Sequence, residues 1–407
     1  MPNVLSAPDE LASKNLLFFH NELQAAKHVD RQWDAKFGVE GAKIGDTLRL
    51  RQQNNFTVRR GNAFTSQAIE EATRTLRIDT PIGVDFTLDN AELALTVDAF
   101  DERLGKPALR SLANDIDRWL LQLVRAAPNA TGTYNTAPTA LADFQAPLTR
   151  LREFGVPADI EDMLMIMGPG EDQTAVSVLS GFFESGPRLR VQYEKGEMKS
   201  ALGVRWLRSQ NIYAHTAGLL GGAAGAVVNL AGQTGATLNI DGVTAGQAPW
   251  AREGDMFTIA GVNAVNPITG VAKSFLRQFT ITADANSNGS GEVALSIYPS
   301  IVTSGARQTV DAGPANDAVV TMFTTTASQI ANQPMLMHRM FAALVIAPEP
   351  EIKGIHISKT KTAEDAPIGI RLACWWDGDT NQFKWRYDIL AGRLAQNPDF
   401  ACRLHTS

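Results

Sequence analysis

The sequence contains only two cysteines, Cys374 and Cys402, and has no surplus of basic charge. Two cysteines at this spacing fit no zinc motif and cannot build the disulfide framework of a small secreted domain. Lys plus Arg number 37 and Asp plus Glu number 43, giving a formal charge of −6. A dedicated nucleic-acid binder carries a strong basic excess, so this balance argues against that class. Met1-Pro2-Asn3-Val4 lacks the basic start and apolar run of a secretory signal, which points to synthesis in a reducing cytoplasm. Long apolar runs are also missing. Ala217 to Ile240 is free of charge but rich in Gly and broken by Asn229, Gln233 and Thr234. A spanning helix needs about 20 predominantly apolar residues, so this stretch reads as a flexible connector between domains rather than a membrane segment.

Catalytic signatures are absent as well. The chain has no HExxH, no GxxxxGK[ST], no GxSxG and no paired CxxC. Its six histidines show no metal spacing, so no catalytic, cofactor or metal residue is assigned. Asp377-Gly378-Asp379 resembles the start of a calcium loop but lacks the later bidentate Glu, and Asp-Gly is a common turn dipeptide. Gly218 to Gly225 resembles a phosphate cradle only in its glycine content.

What is present is an ordinary globular composition, 44% hydrophobic and 20% charged over 407 residues, enough for two to three domains. Ser6 and Pro8 begin a helix whose Leu16, Phe19, Leu23 and Ala26 share one apolar face, which must dock on its own chain or on a neighbour. Thr47 to Arg51 alternates, and Phe56 to Arg59 offers a return strand across Asn54-Asn55. This ribbon region carries Lys43, Arg49, Arg51, Arg59 and Arg60, suited to pairing with carboxylates. Pro107 to Ala126 is the strongest helix, with Ala108, Leu112, Ile116, Leu120 and Val124 at every fourth position. Met163 to Met167 has the length of a buried strand. From Gly235 to Ala327 short strands alternate with Gly-, Asn- and Pro-rich turns, as in a small closed barrel whose core would include Phe257 and Ile259. A hairpin closes the pattern, with Ile370, Leu372, Cys374 and Trp376 facing Phe383, Trp385, Tyr387 and Ile389 across the turn at Asp377 to Asn381.

In order, the chain reads GAKIGDTLRLRQQNNFTVRRG, ALRSLANDID, VQYEKGEMKSALGVRWLRSQNIYAHTAG, REGDMFTIAGVNAVNPITG, LRQFTITAD, PSIVTSGA and YDILAGRLAQNPDFACRLH. This collinear series resembles the major capsid (coat) proteins of tailed phages of the P-twenty-two type. The resemblance implies an α+β chain with the tailed-phage capsid fold, also called the HK-ninety-seven fold. It implies an N-arm over 1–38, an E-loop region over 39–80, a P domain with its spine helix over 81–130 and an A domain over 131–234. An inserted β-barrel then covers 235–327, an A-domain return 328–369, and the C-terminal hairpin and return to the core fold 370–407.

The function so implied is a structural subunit of an icosahedral shell around double-stranded DNA, built from hexamers and pentamers of this chain. Expected partners are further copies of itself, a scaffolding protein and a portal protein, with a decoration protein as an optional addition, and with no membrane and no cofactor. Assembly would occur in the bacterial host cytoplasm and the product would be the virion capsid. The candidate subunit-interface residues are Lys43, Arg49, Arg51, Arg59, Arg60, Leu16, Phe19 and Leu23. Covalent cross-linking through Lys43 is not expected. A tail or surface adhesin and a multidomain hydrolase are the rival readings; the long helical segments oppose the first, and the missing catalytic constellation opposes the second.

Overall fold

The computed structural model describes residues 8–31, 47–52, 56, 61–62, 73–89, 101–157, 159, 161–179, 200–347, 349–355, 357–362 and 369–406. Helix α1 (Pro8–Glu22) leads to strands β1 (Thr47–Arg51), β2 (Thr73–Arg77) and β3 (Thr80–Asp89), then helix α2 (Lys106–Leu121). Strand β4 (Asn129–Thr131), helix α3 (Leu141–Glu153), strand β5 (Met163–Met167) and helix α4 (Pro169–Leu179) follow. Strands β6 (Ser200–Ala201), β7 (Val204–Arg208) and β8 (Ala214–Thr216) come next. Six more strands make a barrel: β9 (Val227–Val228), β10 (Gly235–Asp241), β11 (Met256–Val265), β12 (Ala272–Ile281), β13 (Val293–Ile301) and β14 (Val320–Met322). The chain ends with β15 (Ile330–Asn332), β16 (Met335–His338), β17 (Ala342–Ala347), β18 (Ile357–Thr362), β19 (Gly369–Asp377), β20 (Gln382–Ala395) and β21 (Ala401–Leu404).

The chain divides into two compact units. The first draws on Met1–Arg51, Thr73–Leu121 and Ala342–Gln396. Its spine is β20, which pairs with β3 along one edge and with β19 and then β17 along the other. The hairpin β19–β20 has the register that alternation predicts: Leu372 faces Tyr387, Cys374 faces Trp385 and Trp376 faces Phe383. The Trp376 and Phe383 rings meet edge to face at 4.9 Å, a geometry aromatic quadrupoles favour. Helix α1 packs on α2 and on strands β18 and β19. The α2 helix buries Leu109, Leu112, Ala113, Ile116 and Leu120, the stripe its spacing requires. It ends at Leu121 and gives way to a 3-10 turn over Gln122–Ala126, earlier than the periodicity alone suggests. Buried Asp117 on α2 accepts the backbone N–H groups of Gln24 (2.8 Å) and Ala26 (2.9 Å), fixing the chain just past α1.

The second unit draws on Gln52–Ala72, Gln122–Phe341 and Asn397–Ser407. Its mixed sheet has the order β4-β21-β16-β5-β7-β6. The methionine strand β5 is buried on both faces, as its continuous apolar run requires. Met163, Met165 and Met167 join Phe144, Leu148 and Leu151 of α3 in one core cluster.

The barrel belongs to the same unit. Its strands run β14-β11-β12-β13-β10-β9, and a bridge between Val227 and Val319 returns the last strand to the first. Closure leaves no open edge. Phe257 and Ile259 are fully buried, and Phe257 stacks on Phe279 at 5.5 Å, as the sequence pattern predicts for the barrel core.

One expectation is overturned. The Gly-rich stretch from Ala217 is not a flexible connector, because Ala217, Leu220, Ala223, Ala226 and Val228 are buried in the barrel core. Small residues serve here because the backbone passes directly against Trp250. A Cβ at Gly218 would collide with the Trp250 carbonyl oxygen, and Leu220 donates its N–H to that same oxygen at 2.9 Å. Among the described residues no helix is long and apolar enough to cross a membrane.

Candidate assembly surface and barrel seat

Strands β1 and β2 form an antiparallel ribbon in which Leu50 faces Arg74 and Arg49 faces Thr75. The return strand expected at Phe56 to Arg59 falls largely on residues outside those described; the observed partner of β1 is β2. Alternation divides the ribbon into two faces. Leu50 and Leu76 pack, with Ile78, onto Ala343 and Val345. The other face exposes Thr47, Arg49 and Arg51 from β1 and Thr73, Thr75 and Arg77 from β2. Arg74 holds the ribbon down by donating to the Ala395 carbonyl at 3.1 Å. Gly392 lets β20 pass beneath it, because a Cβ there would strike the Arg77 carbonyl oxygen. Arg77 is paired with Asp79 at 3.3 Å. Of the predicted interface cations, Arg49 and Arg51 therefore share one exposed face, while Lys43, Arg59 and Arg60 lie outside the described residues.

The apolar interface candidates behave differently. Leu16 is 6% exposed, and Phe19 and Leu23 are fully buried within the chain. Their expected role against a neighbouring copy is corrected: α1 uses this face on α2 and the sheet of its own unit. Asn15 adds a buried hydrogen bond to the Tyr387 hydroxyl at 2.9 Å. Leu17, on the opposite side, is left 64% exposed.

A second constellation is not visible in the sequence. Arg403 of β21 is 1% exposed. It donates to the carbonyls of Ala127 (3.0 Å), Gly254 (2.6 Å) and Arg125 (2.5 Å), and to the Thr280 hydroxyl (2.9 Å). The Thr280 hydroxyl donates in turn to the Arg125 carbonyl at 2.9 Å. Gln278, two residues earlier on β12, clamps Ala130 of β4: its oxygen accepts the N–H at 2.8 Å and its amide donates to the C=O at 2.9 Å. Arg277 reaches Asp399 at 2.5 Å and lies over the Phe154 ring at 4.6 Å. Asp399 also accepts the Tyr298 hydroxyl at 2.7 Å.

Together these contacts seat the barrel on the mixed sheet through charged and amide groups with fixed donor directions. Burial pushes the Arg403 guanidinium down to about 10, which leaves it charged at neutral pH. Carbonyl oxygens in a fork around it compensate that charge. The local signal is one Arg in the apolar run Ala401 to Leu404, and its partners lie more than a hundred residues away.

One pair has the look of acid–base chemistry. His215 Nε2 lies 2.8 Å from Asp255 Oδ1 with both side chains 2% exposed. The other Asp255 oxygen accepts the N–H groups of Gly218 (3.0 Å) and Arg252 (2.7 Å). The pair is buried and tied to backbone, so it holds the chain where it passes into the barrel. Among the described residues no group of three or more His, Cys, Asp and Glu side chains is placed to hold a metal.

The chain is 22% identical over 405 residues to a major capsid protein of Acyrthosiphon pisum secondary endosymbiont phage 1, covering 93% of both chains. Similar solved structures include one of Mycobacterium phage Che8, at 12% identity and TM-score 0.48, covering 95% of this chain and 92% of that one. The capsid structure of the Cyanophage P-SCSP1u matches at 11% identity and TM-score 0.43, covering 93% and 89%. The family described as P22 coat protein, gene protein 5, matches residues 61–403, and the chain belongs to that family.

Proposed function

We propose that this chain, a phage major capsid protein, closes into an icosahedral shell of pentamers and hexamers around double-stranded DNA. The family match over residues 61–403 carries this reading. The exposed Arg49 and Arg51 face of the ribbon supports it, since a row of guanidiniums on a firmly anchored ribbon suits carboxylates of a neighbouring copy. Lys43, Arg59 and Arg60 extend the same basic region in the sequence. A formal charge of −6 suits a container that encloses DNA without gripping it, because a strongly basic wall would hold phosphate by counterion release.

A separate scaffolding protein and a portal protein are the partners this role requires, with assembly in the host cytoplasm. A decoration protein would bind the outside of the finished shell. The role is structural rather than catalytic. The test is charge reversal at Arg49 and Arg51 in the full chain, followed by sedimentation. The expected result is a folded subunit that fails to sediment as shells; normal shells would contradict the assignment of this face.

A further inference from the structure

The residue that follows β21 is a buried histidine, His405, whose ring nitrogens have no hydrogen-bond partner. It is 1% exposed. Its ring lies 5.1 Å from that of Tyr134 and 5.2 Å from that of Phe323. Its backbone is held by donation to the Thr131 carbonyl at 2.9 Å. Phe323 comes from the barrel, where its N–H donates to Met256 at 3.0 Å. His405 therefore stands where the barrel meets the sheet.

The charges facing it are mostly of the wrong kind. Arg403, two residues before it on β21, and His215 on β8 both disfavour a cation at this point. Asp255 is engaged by His215 and by two backbone amides. Glu171 of α4 is taken by the hydroxyl of the next residue, Thr406, at 3.0 Å. The Tyr134 hydroxyl is buried without a partner, as is the whole side-chain amide of Gln333, next to the Pro334 whose carbonyl accepts the Leu404 N–H. Tyr213, the remaining titratable group nearby, has its ring 6.1 Å from that of His215.

The geometry points to an acid-sensitive latch: protonation of His405 places an unpaired cation between Tyr134 and Phe323, beside Arg403 and His215, and releases the C-terminal strand from the barrel. The neighbouring aromatic rings attract a cation only weakly, and burying a charge with no acceptor costs more than they return. Burial, reinforced by Arg403 and His215, pushes the imidazole down to about 3. An unfolded histidine titrates near 6.5. The folded value is the depressed one, so stability is fully present above about pH 6.5 and is lost as pH falls toward 3. At pH 5 this linkage predicts roughly thirtyfold more opening of the segment than at neutral pH.

The test is hydrogen exchange of the 407-residue chain at about pH 7.5 and about pH 5.0, corrected for intrinsic rates, in the wild type and in His405→Gln. The wild type is expected to open residues 401–406 and 320–323 by about thirtyfold more at pH 5.0, and the variant by a few-fold or less. An equal acid response in both proteins, or none in the wild type, overturns the latch. If the variant does not fold, exchange of the histidine ring C–H in the wild type decides instead. Protection of His405 with no titration between pH 5 and 8 supports the latch, and titration near 6.5 overturns it.

Discussion

Arg403 donates to the carbonyl of Gly254 at 2.6 Å across 149 residues of sequence, joining the last strand of the mixed sheet to the loop that opens β11 of the barrel. The same guanidinium also holds Ala127, Arg125 and Thr280. A single side chain thus stitches three separate segments of the second unit.

Replacing it shows how much that stitch carries. Arg403→Leu strands the carbonyls of Ala127 and Gly254 in a dry site, while that of Arg125 keeps the Thr280 hydroxyl, at roughly 1–3 kcal/mol for each group that finds no new donor. The expected outcome is a second unit destabilised by at least about 2 kcal/mol, with a lower midpoint in denaturant. Arg403→Lys keeps the charge but loses the planar fork, and is expected to fall between Leu and the wild type. An unchanged midpoint in Arg403→Leu would remove the residue from the account.

The two cysteines report on the two units separately. Burial pushes the Cys402 thiol up to about 12 and the Cys374 thiol up to about 11, so neither supplies thiolate at neutral pH. Both are expected to resist a thiol reagent in the folded chain at pH 7.5. In Arg403→Leu, Cys402 is expected to label before Cys374, because only the unit containing Cys402 is loosened. Equal labelling rates would mean that the two units open together.

Gly218→Ala tests the reassigned glycine-rich stretch. The added methyl meets the backbone of Trp250, which has no rotamer through which to escape. A flexible connector would tolerate the change and gain about 0.4–1 kcal/mol from a stiffer unfolded chain. A packed segment loses stability instead, by about 1–3 kcal/mol typical of overpacking. The sign of the shift in thermal midpoint separates the two.

Gly392→Ala tests how the ribbon is anchored. The new methyl is directed at the Arg77 carbonyl and lifts β2 from β20. The expected effect is greater hydrogen exchange in β1 and β2, with the β3–β20 ladder less affected. Uniform protection across both regions would show that the ribbon does not depend on this close approach.

The parts of the fold readable from the sequence are those in which neighbouring residues carry the signal. The β19–β20 hairpin announces itself through alternation from Ile370 to Trp376 and an Asp-Gly turn, and its register follows. Phe257 and Ile259 announce a barrel strand in the same way. The unreadable parts depend on distant partners. Gly218 looks like a linker residue until Trp250 is placed against it. The pairing of β1 with Thr73–Arg77 joins segments more than twenty residues apart. Leu16, Phe19 and Leu23 form an apolar face whose occupant no local rule specifies, and α2 with the sheet supplies it. Arg403 stands alone in an apolar strand, and only the fold brings its four partners together.

Electron microscopy of the 407-residue chain expressed with its phage partners decides whether it is a shell subunit. Closed icosahedral shells are expected, and are expected to be lost when Arg49 and Arg51 are reversed in charge. A discrete small oligomer that never closes, under conditions where the chain is folded, would contradict the shell assignment.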